Sequence, residues 1–120
     1  MNSTFEKFGF ELAHIGINEE NADEAIRVAK LFETMFGFAV KEGNSSVFAG
    51  KYVEVMKAPY LGKHGHIAIA TSSLSDAQAF LESQGFAFIP DTLKTNASGQ
   101  PVAIYLKDEV AGFAVHLLQK

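Results

Sequence analysis

Phe10-Glu11-Leu12-Ala13-His14-Ile15-Gly16-Ile17-Asn18 decides the reading of this chain. Apolar and polar or small residues alternate through it, the signature of a half-buried strand. The alternation carries one imidazole, His14, in mid-strand. The pattern returns, with its histidine 52 residues further on, as Gly65-His66-Ile67-Ala68-Ile69-Ala70-Thr71, again with a histidine before an isoleucine. A strand motif stated twice in a chain of 120 residues points to an internal duplication.

The segments after each copy agree. Asn21 with Glu24 forms a helix N-cap and its box partner. Ala25, Val28, Ala29, Phe32, Met35 and Phe36 then follow a helical period, and Gly37 stops it. Strands are predicted over 38–42, 45–49 and 51–57, with a turn at Gly43-Asn44. Residues 58–64, with Pro59 and Gly62, read as a connector. In the second half Ser73 or Ser75 caps a helix with Leu74, Ala77, Phe80 and Leu81 on its apolar face, and Gly85 ends it. Strands are predicted over 86–89, 102–107 and 113–119, with a loop over 90–100 and a turn over 108–112. The helix ends match as Gly37-Phe38 and Gly85-Phe86, and Glu54 on the fourth strand matches His116 on the fourth strand of the second half. The expected fold is a single α+β domain over 1–120. It comprises two tandem βαβββ modules, about 8–57 and 65–120, forming one curved mixed sheet with the helices on its convex face.

Strand parity then sorts the side chains, because successive residues face opposite sides. His14 shares a face with Leu12 and Gly16, Glu54 with Tyr52 and Met56, His66 with Ala68 and Ala70, and His116 with Ala114 and Leu118. The opposite face is aliphatic in all four strands and suits packing against helices. A lone strand histidine is most often a hydrogen-bonded core or surface residue. Four such groups on one face, related by a repeat, point instead to a shared divalent-metal site. Tyr52, Met56, Leu12 and Leu118 are then expected to line the pocket. His64 has a weaker claim, and Asp76, Glu82, Glu33 and Arg27 read as solvated helix positions.

Composition narrows the function. Apolar residues make up 48% of the chain, enough for a packed core and too many for disorder. There are no cysteines, which excludes disulfides, thiolate ligands and thiol nucleophiles. A net charge of −4 with Arg27 as the only arginine argues against nucleic acid. No apolar run reaches the length of a membrane span, and residues 1–11 lack the pattern of a secretory leader, so a cytoplasmic location is expected.

These residues resemble the vicinal oxygen chelate superfamily, which includes glyoxalase I, extradiol dioxygenases and bleomycin-resistance proteins. The resemblance rests on His14-Ile15-Gly16-Ile17, Val53-Glu54-Val55, Gly65-His66-Ile67-Ala68 and the ending Tyr105-Leu106-Lys107-Asp108 with Gly112-Phe113-Ala114-Val115-His116-Leu117. It implies ligands from the first and fourth strands of each module, which are His14, Glu54, His66 and His116. The metal it implies is zinc, nickel, manganese or iron. It further implies a lyase or isomerase acting on a small metabolite with adjacent oxygens, with Glu54 and His116 as candidate catalytic groups, and a homodimer. The family most often has glutamate where this chain has His116, which leaves the base and the metal open. Residues 8–17 and 41–46 also resemble an extra C-terminal domain of some 2-keto-3-deoxy-6-phosphogluconate/4-hydroxy-2-oxoglutarate aldolases. That likeness implies a non-catalytic ligand-binding or accessory role as the alternative. A non-haem iron dioxygenase is the second alternative, since two histidines and a carboxylate suit that metal.

Overall fold

The computed structural model describes residues 3–120. A one-turn helix α1 (Ser3–Glu6) leads into β1 (Glu11–Asn18), α2 (Ala22–Phe36), β2 (Val40–Glu42), β3 (Ser46–Ala49) and β4 (Val53–Met56). The second half runs β5 (Gly65–Thr71), α3 (Leu74–Ser83), a 3-10 turn (Pro90–Thr92), β6 (Lys94–Thr95), β7 (Pro101–Tyr105) and β8 (Phe113–Gln119). One mixed sheet of eight strands has the order β2-β3-β4-β1-β5-β8-β7-β6. The two halves meet where β1 pairs antiparallel with β5, and each first strand pairs parallel with its own fourth strand, β1 with β4 and β5 with β8. This is the expected duplicated α+β sheet. Among the described residues no helix is long and apolar enough to cross a membrane.

Local chemistry explains the elements. The Asn21 side chain accepts from the Glu24 N–H at 2.9 Å, closing the first turn of α2. The Glu24 carboxylate turns outward to Arg27 at 2.6 Å, so the capping box is half made. Gly37 takes φ 74°, and its N–H caps the Glu33 carbonyl. Ser73 caps α3 through the Asp76 N–H.

Each helix packs on its own half of the sheet, giving two separate cores. Ala25 and Ala29 of α2 close on Val47, Ala49 and Val55. Leu74 and Ala77 of α3 join Phe8, Phe88, Ile104 and Leu117. The apolar face of the central strands lies between these cores and is incompletely covered: Leu12 is 45% and Ile15 37% exposed.

Two expectations need correction. The strand predicted over 86–89 is reduced to one bridge, Phe88 with Leu106. Its ladder starts normally, with the Lys107 N–H on the Ala87 carbonyl and the Ile89 N–H on the Tyr105 carbonyl. The chain then leaves the ladder: Pro90, whose fixed φ suits the first position of a helical turn, opens the 3-10 turn. Pairing resumes at β6, inside what was expected to be loop, where Lys94 faces Ala103. The second correction is at Leu12. Register slips between Leu12 and His14, a bulge at Ala13 that sets Leu12 opposite Ile69 and His14 opposite Ala68. One extra residue reverses the facing of everything before it, so Leu12 lies on the aliphatic face, not in the cup.

Candidate metal centre

Cross-strand register assembles the site in two adjacent rows on the concave face. The first row reads Tyr105, His116, Ala68, His14 across β7, β8, β5 and β1. The second reads Ala114, His66, Gly16, Glu54, Phe48 across β8, β5, β1, β4 and β3. Each row holds two candidate ligands separated by one small residue. Gly16 is the stricter spacer: a Cβ there would fall 2.0 Å from the His66 ring. The imidazole therefore lies over bare backbone, and a side chain at position 16 would force the His66 ring to shift.

The four groups meet. Glu54 Oε1 lies 3.2 Å from His14 Nε2 and 3.1 Å from His66 Nε2. One ring nitrogen from each of His14, His66 and His116 falls within 4.8 Å of the others. His66 and His116 are buried, at 4% and 6% exposure. Ser46 Oγ donates to Glu54 Oε2 at 2.7 Å. Sequence reasoning missed this residue, and its signal was a serine on an otherwise apolar strand, Ser46-Val47-Phe48-Ala49. Tyr105 was missed too; its ring packs on His116 with centroids 4.6 Å apart.

Electrostatics favours an ionised Glu54 and a neutral His116. Burial opposes ionisation of Glu54, but hydrogen bonds from His14, His66 and Ser46 outweigh it and hold the carboxyl well below the usual range. Burial pushes His116 down to about 4, aided by the neighbouring His66, His14 and Lys94, although a hydrogen bond to the Leu117 carbonyl works the other way. A carbonyl oxygen only accepts, so His116 Nδ1 carries the proton in that 3.1 Å contact and Nε2 keeps its lone pair. Burial raises Tyr105 to about 12, so its hydroxyl stays protonated.

A divalent ion fits this donor set. Metal–ligand bonds of about 2.1 Å imply neighbouring donors about 3.0–3.4 Å apart, and the Glu54–imidazole separations of 3.2 and 3.1 Å match. Two of the imidazoles, His14 and His66, contact one carboxylate oxygen, and His116 brings a third ring nitrogen within 4.8 Å of theirs. His66 Nδ1 is buried without a hydrogen-bond partner, so nothing on that side of the ring orients it.

The cavity in front of the donors measures about 230 Å³. Met56 and Leu118 line it as expected, with Ser45, Tyr60, Lys94, Ala103 and Tyr105. Leu12 and Tyr52 are not in its wall. Leu12 is turned away by the bulge, and Tyr52 precedes β4, is 48% exposed and lies under the Lys51 ammonium. His64 is also outside: it is exposed and packs on Phe113, and its carbonyl accepts from the Asn18 N–H. The Asn18 side chain also donates to the Tyr60 and Gly62 carbonyls, fixing the connector that brings Tyr60 over the mouth.

The fold is of the vicinal oxygen chelate type. The structure is similar to a variant of Streptomyces coelicolor methylmalonyl-CoA epimerase in complex with 2-nitronate-propionyl-CoA. The two are 19% identical over 92% of this chain and 94% of that one, with a TM-score of 0.65. It is similar to Mycobacterium tuberculosis methylmalonyl-CoA epimerase, 18% identical over 90% and 86% with a TM-score of 0.60. It is also similar to a hypothetical protein of Bacillus halodurans C-125, 18% identical over 93% and 95% with a TM-score of 0.66. No protein-family model matches the chain, and no curated protein matches it in sequence.

Proposed function

We propose that this chain is a divalent-metal-dependent isomerase or lyase acting on a small metabolite with adjacent oxygens. The observation that carries this is the convergence of three histidine nitrogens and Glu54 at the floor of one cavity. His14, Glu54, His66 and His116 would hold the ion, which when bound supplies a Lewis acid for the negative charge that develops on a carbonyl substrate. The fold it shares with the epimerases favours an isomerase.

The chain's own groups set the rest. Glu54 is held ionised and His116 neutral, and these two are the candidate proton carriers. Both are weak bases at neutral pH, His116 shifted down to about 4 and Glu54 below its ordinary range, so acidity alone does not choose between them as the proton carrier. Tyr105, kept as a neutral hydroxyl, supplies a donor beside His116. The inner cavity is below the range of about 300–1,000 Å³ usual for ligand pockets. It suits the reacting head of a substrate and not a whole coenzyme. An outer groove of about 630 Å³ shares Ser45, Met56, Tyr60 and Lys94 with it and leaves room for a tail.

The test is metal analysis followed by solvent-deuterium exchange into candidate substrates such as methylmalonyl-CoA. Stripped protein should be inactive and recover with one divalent ion. Full activity without metal defeats the proposal. An accessory ligand-holding role, of the kind implied by the aldolase-attached domains, would give binding to loaded protein without exchange. We also propose a homodimer, formed across the outer face of β1 and β5. Leu12 and Ile15 are exposed there on an antiparallel strand pair, and a patch centred on such a pair can match a second copy of itself.

A further inference from the structure

Lys94 is the one cationic side chain in the wall of the metal cavity. It comes from the short strand β6 and pairs in register with Ala103, which in turn pairs with Leu118. That row lies beside the row of Tyr105, His116, Ala68 and His14. Side chains in neighbouring rows on one face are about 7 Å apart. The small residue opposite, Ala103, leaves space for the lysine to lean over the cavity.

The backbone under Lys94 is anchored. The Thr92 hydroxyl donates to the Ile89 carbonyl at 2.7 Å and accepts from the Tyr105 N–H at 2.9 Å, tying the 3-10 turn to β7. Lys94 itself is in no ion pair among the described residues. The contrast is with Lys57 on the outer groove, which is bound to the Glu42 carboxylate at 2.7 Å and to the Gly43 carbonyl. In a chain of net charge −4, an unpaired cation facing a cavity is a candidate for recognising a ligand. The charge inside the cavity gives the same answer. A divalent ion, one carboxylate from Glu54 and the Lys94 ammonium sum to a doubly positive site, because an imidazole that binds a metal adds no charge. A dianion would neutralise it.

We propose that Lys94 selects substrates carrying a second anionic group beyond the metal-chelating end, the chemistry of a short oxo- or hydroxy-diacid or of an acyl chain bearing a carboxylate. This rests on the metal-site reading above. One pair of probes separates the two. 2-Oxopentanoate and 2-oxoglutarate both present adjacent oxygens to a metal and have the same chain length; only the second ends in a carboxylate. Each is titrated into cobalt-loaded protein, following the cobalt absorption and the heat of binding. 2-Oxoglutarate is expected to bind about tenfold more tightly than 2-oxopentanoate. Lys94→Met should remove that preference without weakening 2-oxopentanoate, and Lys94→Arg should keep most of it. Equal binding of the two probes to the native protein, or an equal loss of both in Lys94→Met, overturns the assignment and leaves the metal site standing. Failure of both probes to perturb the cobalt defeats the metal-site reading and this inference with it. Lys94 is exposed, so its variants should melt with the native protein, which a thermal scan checks.

Discussion

The two halves of the sheet repeat one plan with unequal fidelity. In both, the first strand pairs with the fourth and each contributes one donor, His14 with Glu54 and His66 with His116. Away from that pair they diverge. The first half has a 15-residue helix and three clean outer strands. The second has a 10-residue helix and an edge strand broken by Pro90. The positions that aim ligands repeat closely, and the edge is where the halves differ. That edge difference is also what delivers Lys94 to the cavity.

If the halves contribute equally, removing one ligand from either should be equally damaging. His14→Ala and His66→Ala are each expected to lower divalent-metal affinity by more than about 100-fold, measured by calorimetry. A loss confined to one half would show that the duplication is not functional symmetry.

Acid should act on both halves together. His116 has a folded value of about 4 against an ordinary 6.5, and Glu54 lies below its ordinary 4.5. Both are depressed, so the stability they contribute is complete above 6.5. The His116 part is lost as pH falls from 6.5 toward 4, and the Glu54 part below about 4.5. The His116 part is on the order of 3 kcal/mol before solvent screening. Metal-free protein should therefore melt progressively lower across that window, and His116→Phe should flatten the upper part of the slope.

The spacers give a sharper contrast. Gly16 and Ala68 occupy matching places, two residues after each histidine. Gly16→Ala would drive a methyl into the His66 ring, with an expected loss of about 1–3 kcal/mol and weaker metal binding. Ala68→Gly adds backbone freedom, about 0.5–1 kcal/mol, and removes one buried methyl, without forcing any ring to move. Equal effects in denaturant melts would mean that the His66 ring can move aside. The smallest difference is at the helix caps. Asn21→Ala and Ser73→Ala should each lose about 1 kcal/mol, with the shorter contact at Asn21 (2.9 against 3.3 Å) losing slightly more.

Parity and repetition made much of this legible in advance. His14, Glu54, His66 and His116 could be grouped because the repeat pairs them and no bulge separates any of them from the residues that follow it. Leu12 was misplaced because the bulge at Ala13 intervenes; its trace in the sequence is the shift of the apolar phase from Phe10 and Leu12 to Ile15 and Ile17. Tyr52 was assigned to a strand that begins one residue later. Ser46 and Tyr105 depend on which strand lies beside which, and alternation within a single strand carries no information about that. The broken edge was half visible: Pro90 was read as the start of a loop, but its effect on the strand before it was not.

The seam between β1 and β5 has a consequence for assembly. His14 and His66 belong to strands on opposite sides of it, so neither half alone owns the donor set. If the connector at 58–64 swung open, β1 of one chain could pair with β5 of another in the same register. Each rebuilt seam would then carry a complete donor set, because every cross-strand neighbour would be supplied in trans. Bound metal would thus fasten the two halves along their longest-range contact without specifying whether they belong to one molecule or two.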